Sequence, residues 1–151
     1  MKEIRTEIEI QCSLQIAWKI LTDFPGYDQW NPVIIRMTGI PRLGEKLVIR
    51  LRTQRGKVRT YRPVITKLEE NHELRWKGTS FIPRFLIGER VFTFDQITNN
   101  QIRFLHAELF SGLAANLGGS MLTKNVEPSL HEMNIAFKKK AEKESKMHGE
   151  N

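Results

Sequence analysis

Residues 113–146 read LAANLGGSMLTKNVEPSLHEMNIAFKKKAEKESK. Leu117, Met121, Leu122, Val126, Leu130, Met133, Phe137 and Ala141 recur at steps of three to four positions, the period of a helix with one apolar face. Lys124, Lys138, Lys139, Lys140, Glu142, Lys143 and Glu144 fall mostly on the other faces, so the apolar stripe is one-sided. Pro128 interrupts the run. Either it kinks one long helix, or the helix starts just before it, with Asn125 as N-cap and Pro128 in the first turn, where its missing N–H does no harm. The pair Gly118-Gly119 marks a break upstream. A terminal helix with a wide apolar face needs a broad apolar surface to lie on. The rest of the chain reads as strands, so that surface is a sheet.

Residues Lys2 to Gln11 alternate, with Ile4, Thr6, Ile8 and Ile10 on one side and charged or polar residues on the other, which predicts a half-buried strand. Ser13 caps a short helix over Leu14–Thr22, whose apolar set is Leu14, Ala17, Trp18 and Leu21. Phe24-Pro25-Gly26-Tyr27 breaks it, and Asp28–Pro32 reads as one helical turn ended by proline. Strands are predicted at Val33–Met37, Glu45–Thr53, Lys57–Leu68, His72–Gly78, Phe85–Asp95 and Gln101–Phe110. Pro63 places a bulge or an edge in the long third strand of that set. Arg55-Gly56, Glu70-Asn71 and Asn99-Asn100 supply turns, the last as a pair suited to positive φ. Phe81–Phe85, with Pro83, is a loop or strand mouth. Strands joined by tight turns make an antiparallel meander, so the fold class is α+β, in the order β-α-α-β6-α.

The chain has 151 residues, read as a single domain over 1–146 with a frayed tail at 147–151. Its 40% hydrophobic and 27% charged content is ordinary for a globular protein. No apolar run is long enough to span a membrane, and the N-terminus lacks a signal-peptide block. Cys12 is the one cysteine, so no internal disulfide forms, and a cytoplasmic location is expected. The net charge is +7. It reads as a solvated basic surface, much of it in the last turns of the terminal helix, where lysines also complement the helix dipole. A second basic cluster, Arg50, Arg52, Arg55, Lys57, Arg59 and Arg62, holds a single aromatic, Tyr61. No DNA- or RNA-binding motif accompanies the charge, which argues against nucleic acid as partner.

Local patterns then add up to a family. Trp18-Lys19-Ile20-Leu21-Thr22-Asp23-Phe24, Tyr27 and Trp30-Asn31-Pro32, followed by Leu74-Arg75-Trp76-Lys77-Gly78, Gly88-Glu89-Arg90-Val91-Phe92, Phe104 to Gly112 and Met133-Asn134-Ile135-Ala136-Phe137-Lys138, cover nearly the whole chain. In order, they resemble the START-like, SRPBCC superfamily, in its polyketide cyclase/dehydrase-like branch. The resemblance implies a helix-grip fold: a curved antiparallel sheet of about seven strands wrapped around a long C-terminal helix, with an apolar cavity between them. It implies a lipid, polyketide or other hydrophobic small molecule as ligand. Arg90 stands where the pattern has histidine, and a guanidinium cannot take over proton transfer from an imidazole.

His106 and Glu108 lie two apart on one strand and share a face, as an acid/base pair requires. Arg90, on the neighbouring strand, pairs with Glu108 only if the hairpin register puts it on that face. The residues expected to line a ligand site are Trp30, Trp76, Arg90, Phe92, His106, Glu108, Phe110, Met133 and Phe137; for most of the apolar ones plain core is the stronger expectation, and for Arg90, His106 and Glu108 the alternative is a satisfied polar network that orders the sheet. Asp23 and Asn31 read as caps and turn formers, and His131 as an exposed helix residue. The histidines and Cys12 lack metal-ligand spacing, and there is no phosphate-binding glycine loop, so neither metal nor cofactor is expected. Three functions remain in view. The first is binding of a hydrophobic small molecule, the second a cyclase or dehydratase using His106 and Glu108, and the third a basic interaction module. Oligomeric state, monomer or dimer, is open.

Overall fold

The structure, a computed structural model, describes residues 2–79, 86–112, 115 and 119–149, with the backbone alone for 119–122. The expectations for residues 81–85, for Leu113, Leu117 and Gly118, for the side chains of Met121 and Leu122, and for the last two residues of the tail lie outside these.

Strand β1 (Lys2–Ile10) alternates as its sequence does, burying Ile4, Thr6 and Ile10. Ser13 caps α1 (Leu14–Thr22), its side chain accepting from the Ile16 N–H at 3.2 Å. A 3-10 helix over Phe24–Gln29 follows, with Pro25 in its first turn. Asn31 then turns the chain, its Oδ1 accepting from the N–H groups of both Val33 and Ile34 at 2.9 Å. The strands that follow are β2 (Ile34–Thr38), β3 (Val48–Arg52), β4 (Val58–Tyr61), β5 (Val64–Glu69), β6 (Glu73–Thr79), β7 (Ile87–Thr98) and β8 (Gln101–Ser111). Helix α2 spans Gly119–Met147.

All pairings between the strands are antiparallel. A five-stranded sheet has the order β1-β8-β7-β6-β5, and a three-stranded sheet the order β2-β3-β4. The single strand expected over 57–68 is divided into β4 and β5 at Pro63, which has no N–H to give a ladder. Eight strands are thus present among the described residues, and the curved sheet bends into two parts there. Residues 44–47 bridge the parts: the Leu47 N–H donates to Pro63 O at 2.8 Å and the Ile65 N–H to Glu45 O at 3.0 Å.

The turn at Asn99-Asn100 joins Thr98 to Gln101 without positive φ; among the described non-glycine residues only Asn71 takes it, at 61°. Helix α2 runs unbroken through Pro128, so the alternative of a start at Asn125 is not the one adopted. It packs on β1, β8 and α1, burying Leu130, Met133, Asn134, Phe137, Ala141 and Ser145. This is the helix-grip arrangement. Its core is aromatic: the Phe137 ring lies 4.7 Å from Phe104 at 12° and 5.5 Å from Trp30 at 74°.

Candidate functional site

The β7–β8 register sets Arg90 opposite Glu108 and Phe92 opposite His106. The four side chains share the face on which His106 meets Asn134 of α2, and that fixes the face of Arg90. Its Nε donates to Glu108 Oε2, and its Nη1 lies 3.1 Å from His106 Nε2. On the far side of the imidazole, Nδ1 lies 2.8 Å from Asn134 Oδ1. Asn134 Nδ2 donates to Thr6 Oγ1 at 2.8 Å, and that hydroxyl donates to the His106 carbonyl at 2.7 Å.

One proton arrangement satisfies the whole chain of bonds. A guanidinium can only donate, so His106 Nε2 accepts. The ring proton then sits on Nδ1 and goes to Asn134, whose amide hydrogens face Thr6. His106 is neutral in this scheme, and its surroundings agree. It is 0% exposed and stacked on Phe92 at 4.6 Å. Burial, and then the adjacent Arg90 charge, hold its pKa well below the usual 6.5.

A pH dependence of stability follows. A histidine with a depressed folded pKa binds fewer protons folded than unfolded. Its contribution is intact above 6.5 and is lost as pH falls below that value. Chemical denaturation should show a slope approaching about 1.4 kcal/mol per pH unit just below pH 6. The His106→Phe variant should lack that component. Equal slopes in the two proteins would show that His106 takes up its proton without cost in the fold.

Above this network a cavity of about 480 Å³ opens between β4, the β6–β7 end of the large sheet and α2. Its walls include Leu51, Tyr61, Leu86, Phe110 and Val126 on the apolar side, and Arg59, Arg62, Arg90 and Glu108 on the polar side. A second lobe of about 450 Å³ shares Leu51, Arg59, Arg90 and Val126 with it and extends beneath the β3–β4 hairpin.

Of the residues expected to line a site, Arg90, Glu108 and Phe110 face this space. His106 lies behind Arg90, in contact with the network. Trp76, Phe92, Met133 and Phe137 are buried in the core, and Trp30 is half-buried between Tyr27 and Phe137.

Sequence reasoning missed Tyr61 as a cavity wall, together with the glycines that make room for it. Gly78 and Gly88 face each other across β6–β7. A Cβ on Gly78 would lie 2.6–2.8 Å from the Tyr61 ring end, and one on Gly88 would lie 2.6 Å from Glu108 Oε1. Two glycines inside predicted strands were the available signal. The Tyr61 hydroxyl donates to Gly88 O at 3.3 Å, and burial and then the Glu108 charge raise its pKa. Gly78→Ala should push Tyr61 into the cavity. The expected cost is about 1–3 kcal/mol in denaturant titration. A neutral outcome would mean that Tyr61 swings aside freely.

The profile of a family described as polyketide cyclase / dehydrase and lipid transport matches residues 1–142. No curated protein matches the sequence at a significant level. Solved structures similar to the chain include an aromatase/cyclase from a Streptomyces species, with TM-score 0.81, 13% identity and 99% of each chain covered. A START superfamily protein from Mycobacterium smegmatis matches with TM-score 0.62 and 16% identity over 87% of this chain and 98% of that one. A norcoclaurine synthase point mutant from Thalictrum matches with TM-score 0.70 and 13% identity over 95% and 96%. At these identities the likeness is one of fold.

Proposed function

The chain belongs to the polyketide cyclase / dehydrase and lipid transport family, and from that premise we propose that it binds a hydrophobic small molecule, of lipid or polyketide kind, between the sheet and α2. The observation that carries this reading is the cavity itself. It is a mostly apolar space of about 480 Å³ with the Arg90–Glu108 pair in its wall. Such a space buries an apolar body and orients it by one polar end. The arginines of the wall favour a carboxylate, enolate or carbonyl at that end.

A catalytic reading of cyclase or dehydratase type has one observation in its favour. Glu108 is 7% exposed and borders the cavity, within reach of a bound substrate. In that reading Glu108 touches the substrate, while His106 positions Arg90 from behind. The engagement of both imidazole nitrogens weighs against His106 as a proton carrier and supports the binding reading.

Native mass spectrometry of freshly purified protein, with organic extraction, is the first test. A co-purifying hydrophobic compound is the expected result. Val126 lies where the two lobes join. Val126→Trp should therefore weaken binding of an anthroyloxy-labelled stearate probe by about tenfold or more, a loss of about 1.4 kcal/mol. Unaltered probe binding in this variant would place the ligand elsewhere. Turnover of an extracted compound that disappears in Glu108→Gln would favour the enzyme.

A further inference from the structure

The net charge of +7 is not spread over the molecule. Residues 33–63 hold nine lysines and arginines and a single acid, Glu45, a local excess of eight positive charges that exceeds the total for the whole chain. This stretch is the three-stranded sheet and its connections. The lysines of α2, where much of the excess was expected, are largely offset: Lys138 and Lys140 pair with Glu142 and Glu144 at 2.7 and 2.9 Å.

Alternation sorts the two faces of the small sheet. Leu51, Arg59 and Tyr61 turn toward the cavity and Ile49 into the core on the same side, while Arg36, Arg50 and Val58 turn outward and are exposed. Arg36 and Arg50 stand directly opposite each other across β2–β3. Like charges in that position destabilise a sheet. Neither arginine forms an ion pair with another described residue. Exposed aliphatic side chains accompany the arginines: Val48 at 37% and Val58 at 39% in the strands, and Ile40 at 51% and Leu43 at 65% in the β2–β3 connection. The hairpin at the tip of this sheet also borders the outer lobe of the cavity. Arg55 and Lys57 line that lobe opposite Asn125 and Ser129 of α2, and Gln54 Nε2 donates to Ser129 Oγ at 3.0 Å.

We propose that the outer face of the β2–β4 sheet docks on an anionic lipid bilayer and holds the β3–β4 end of the cavity at the membrane surface. An arginine face accompanied by exposed aliphatic side chains matches the headgroup boundary, where cations meet lipid phosphates and Val, Ile and Leu reach the acyl edge. Single-stranded nucleic acid is the weaker fit, because base stacking needs exposed aromatic rings and Tyr61 is turned inward. The placement also suits a hydrophobic ligand, since its source is then at the cavity entrance. That convenience rests on the binding reading above, whereas the docking does not.

The test is co-sedimentation of the full chain with vesicles of phosphatidylcholine alone and of phosphatidylcholine mixed with phosphatidylglycerol. Partition into the mixed vesicles, weakened by salt, is the expected result. The double variant Arg36→Glu/Arg50→Glu should lower that partition at least about tenfold. Its melting temperature and stearate-probe binding should stay unchanged, since neither residue lines the cavity. Lys139→Glu/Lys143→Glu on α2 makes the same charge change and should alter partition by less than about twofold. Three results would overturn the proposal. One is no preference for the anionic vesicles while probe binding persists, which leaves the cavity reading standing. Another is an equal loss in both double variants, which means bulk charge alone. The last is salt-sensitive capture of an acidic protein or single-stranded DNA with none of vesicles.

Discussion

Arg90→Met is expected to cost about 3–5 kcal/mol of stability, the usual consequence of removing one partner from a buried ion pair. Arg90 serves two groups at once. It neutralises Glu108, and it supplies the hydrogen that His106 Nε2 accepts. Without it, a carboxyl group that is 7% exposed loses its partner, and a fully buried nitrogen loses its donor. Methionine fills most of the volume but satisfies neither. The double variant Arg90→Met/Glu108→Gln should recover a large part of the loss, because the stranded carboxyl group goes with the second change. Urea titrations of the wild type, both single variants and the double variant check this. If the double variant is as unstable as the two single losses added together, the pair is not coupled as its geometry requires.

Phe137→Ala should be comparably severe, at about 3–5 kcal/mol. The ring is fully buried and contacts Phe104, Phe94 and Trp30, joining α2 to β7, to β8 and to the turn after the 3-10 helix. Its removal leaves a void that stiff aromatic neighbours cannot fill. Phe137→Leu keeps most of the volume and should cost much less. A loss near 1 kcal/mol for the alanine variant would mean that Phe137 borders open space instead of packed core. Either outcome is read from the denaturation midpoint at unchanged slope.

The candidate site was legible in part. His106 and Glu108 share a face because strand side chains repeat every two residues, and that holds whatever the strand pairs with. Arg90 was different. Its face depended on the β7–β8 register, and a shift of one residue would have turned it to the other side of the sheet. Asn134 and Thr6 carried no sign of a role. They reach His106 from residues 28 and 100 positions away, Asn134 from α2 and Thr6 across the β1–β8 ladder, contacts that only the assembled fold provides. Aromatic residues are suited to line a cavity or to fill a core, and core was the expectation for most of them. The structure puts Trp76, Phe92 and Phe137 in the core, and walls the cavity with Tyr61 and the glycines that accommodate it.

Local rules acting within a few residues were enough for what the sequence by itself determined. The alternation of β1, the Ser13 cap, the Asn31 turn and the one-sided stripe of α2 each follow from side-chain period or from a single hydrogen bond, and together they make a helix-grip fold. The concentration of positive charge between residues 33 and 63 was also countable from the sequence. Tertiary structure decided that α2 continues through Pro128, that Pro63 divides the sheet, that Arg90 faces inward, and that space remains beside Tyr61. Each of these turns on which distant surfaces meet and in what register. Those are properties of packing between elements, and no local pattern encodes them.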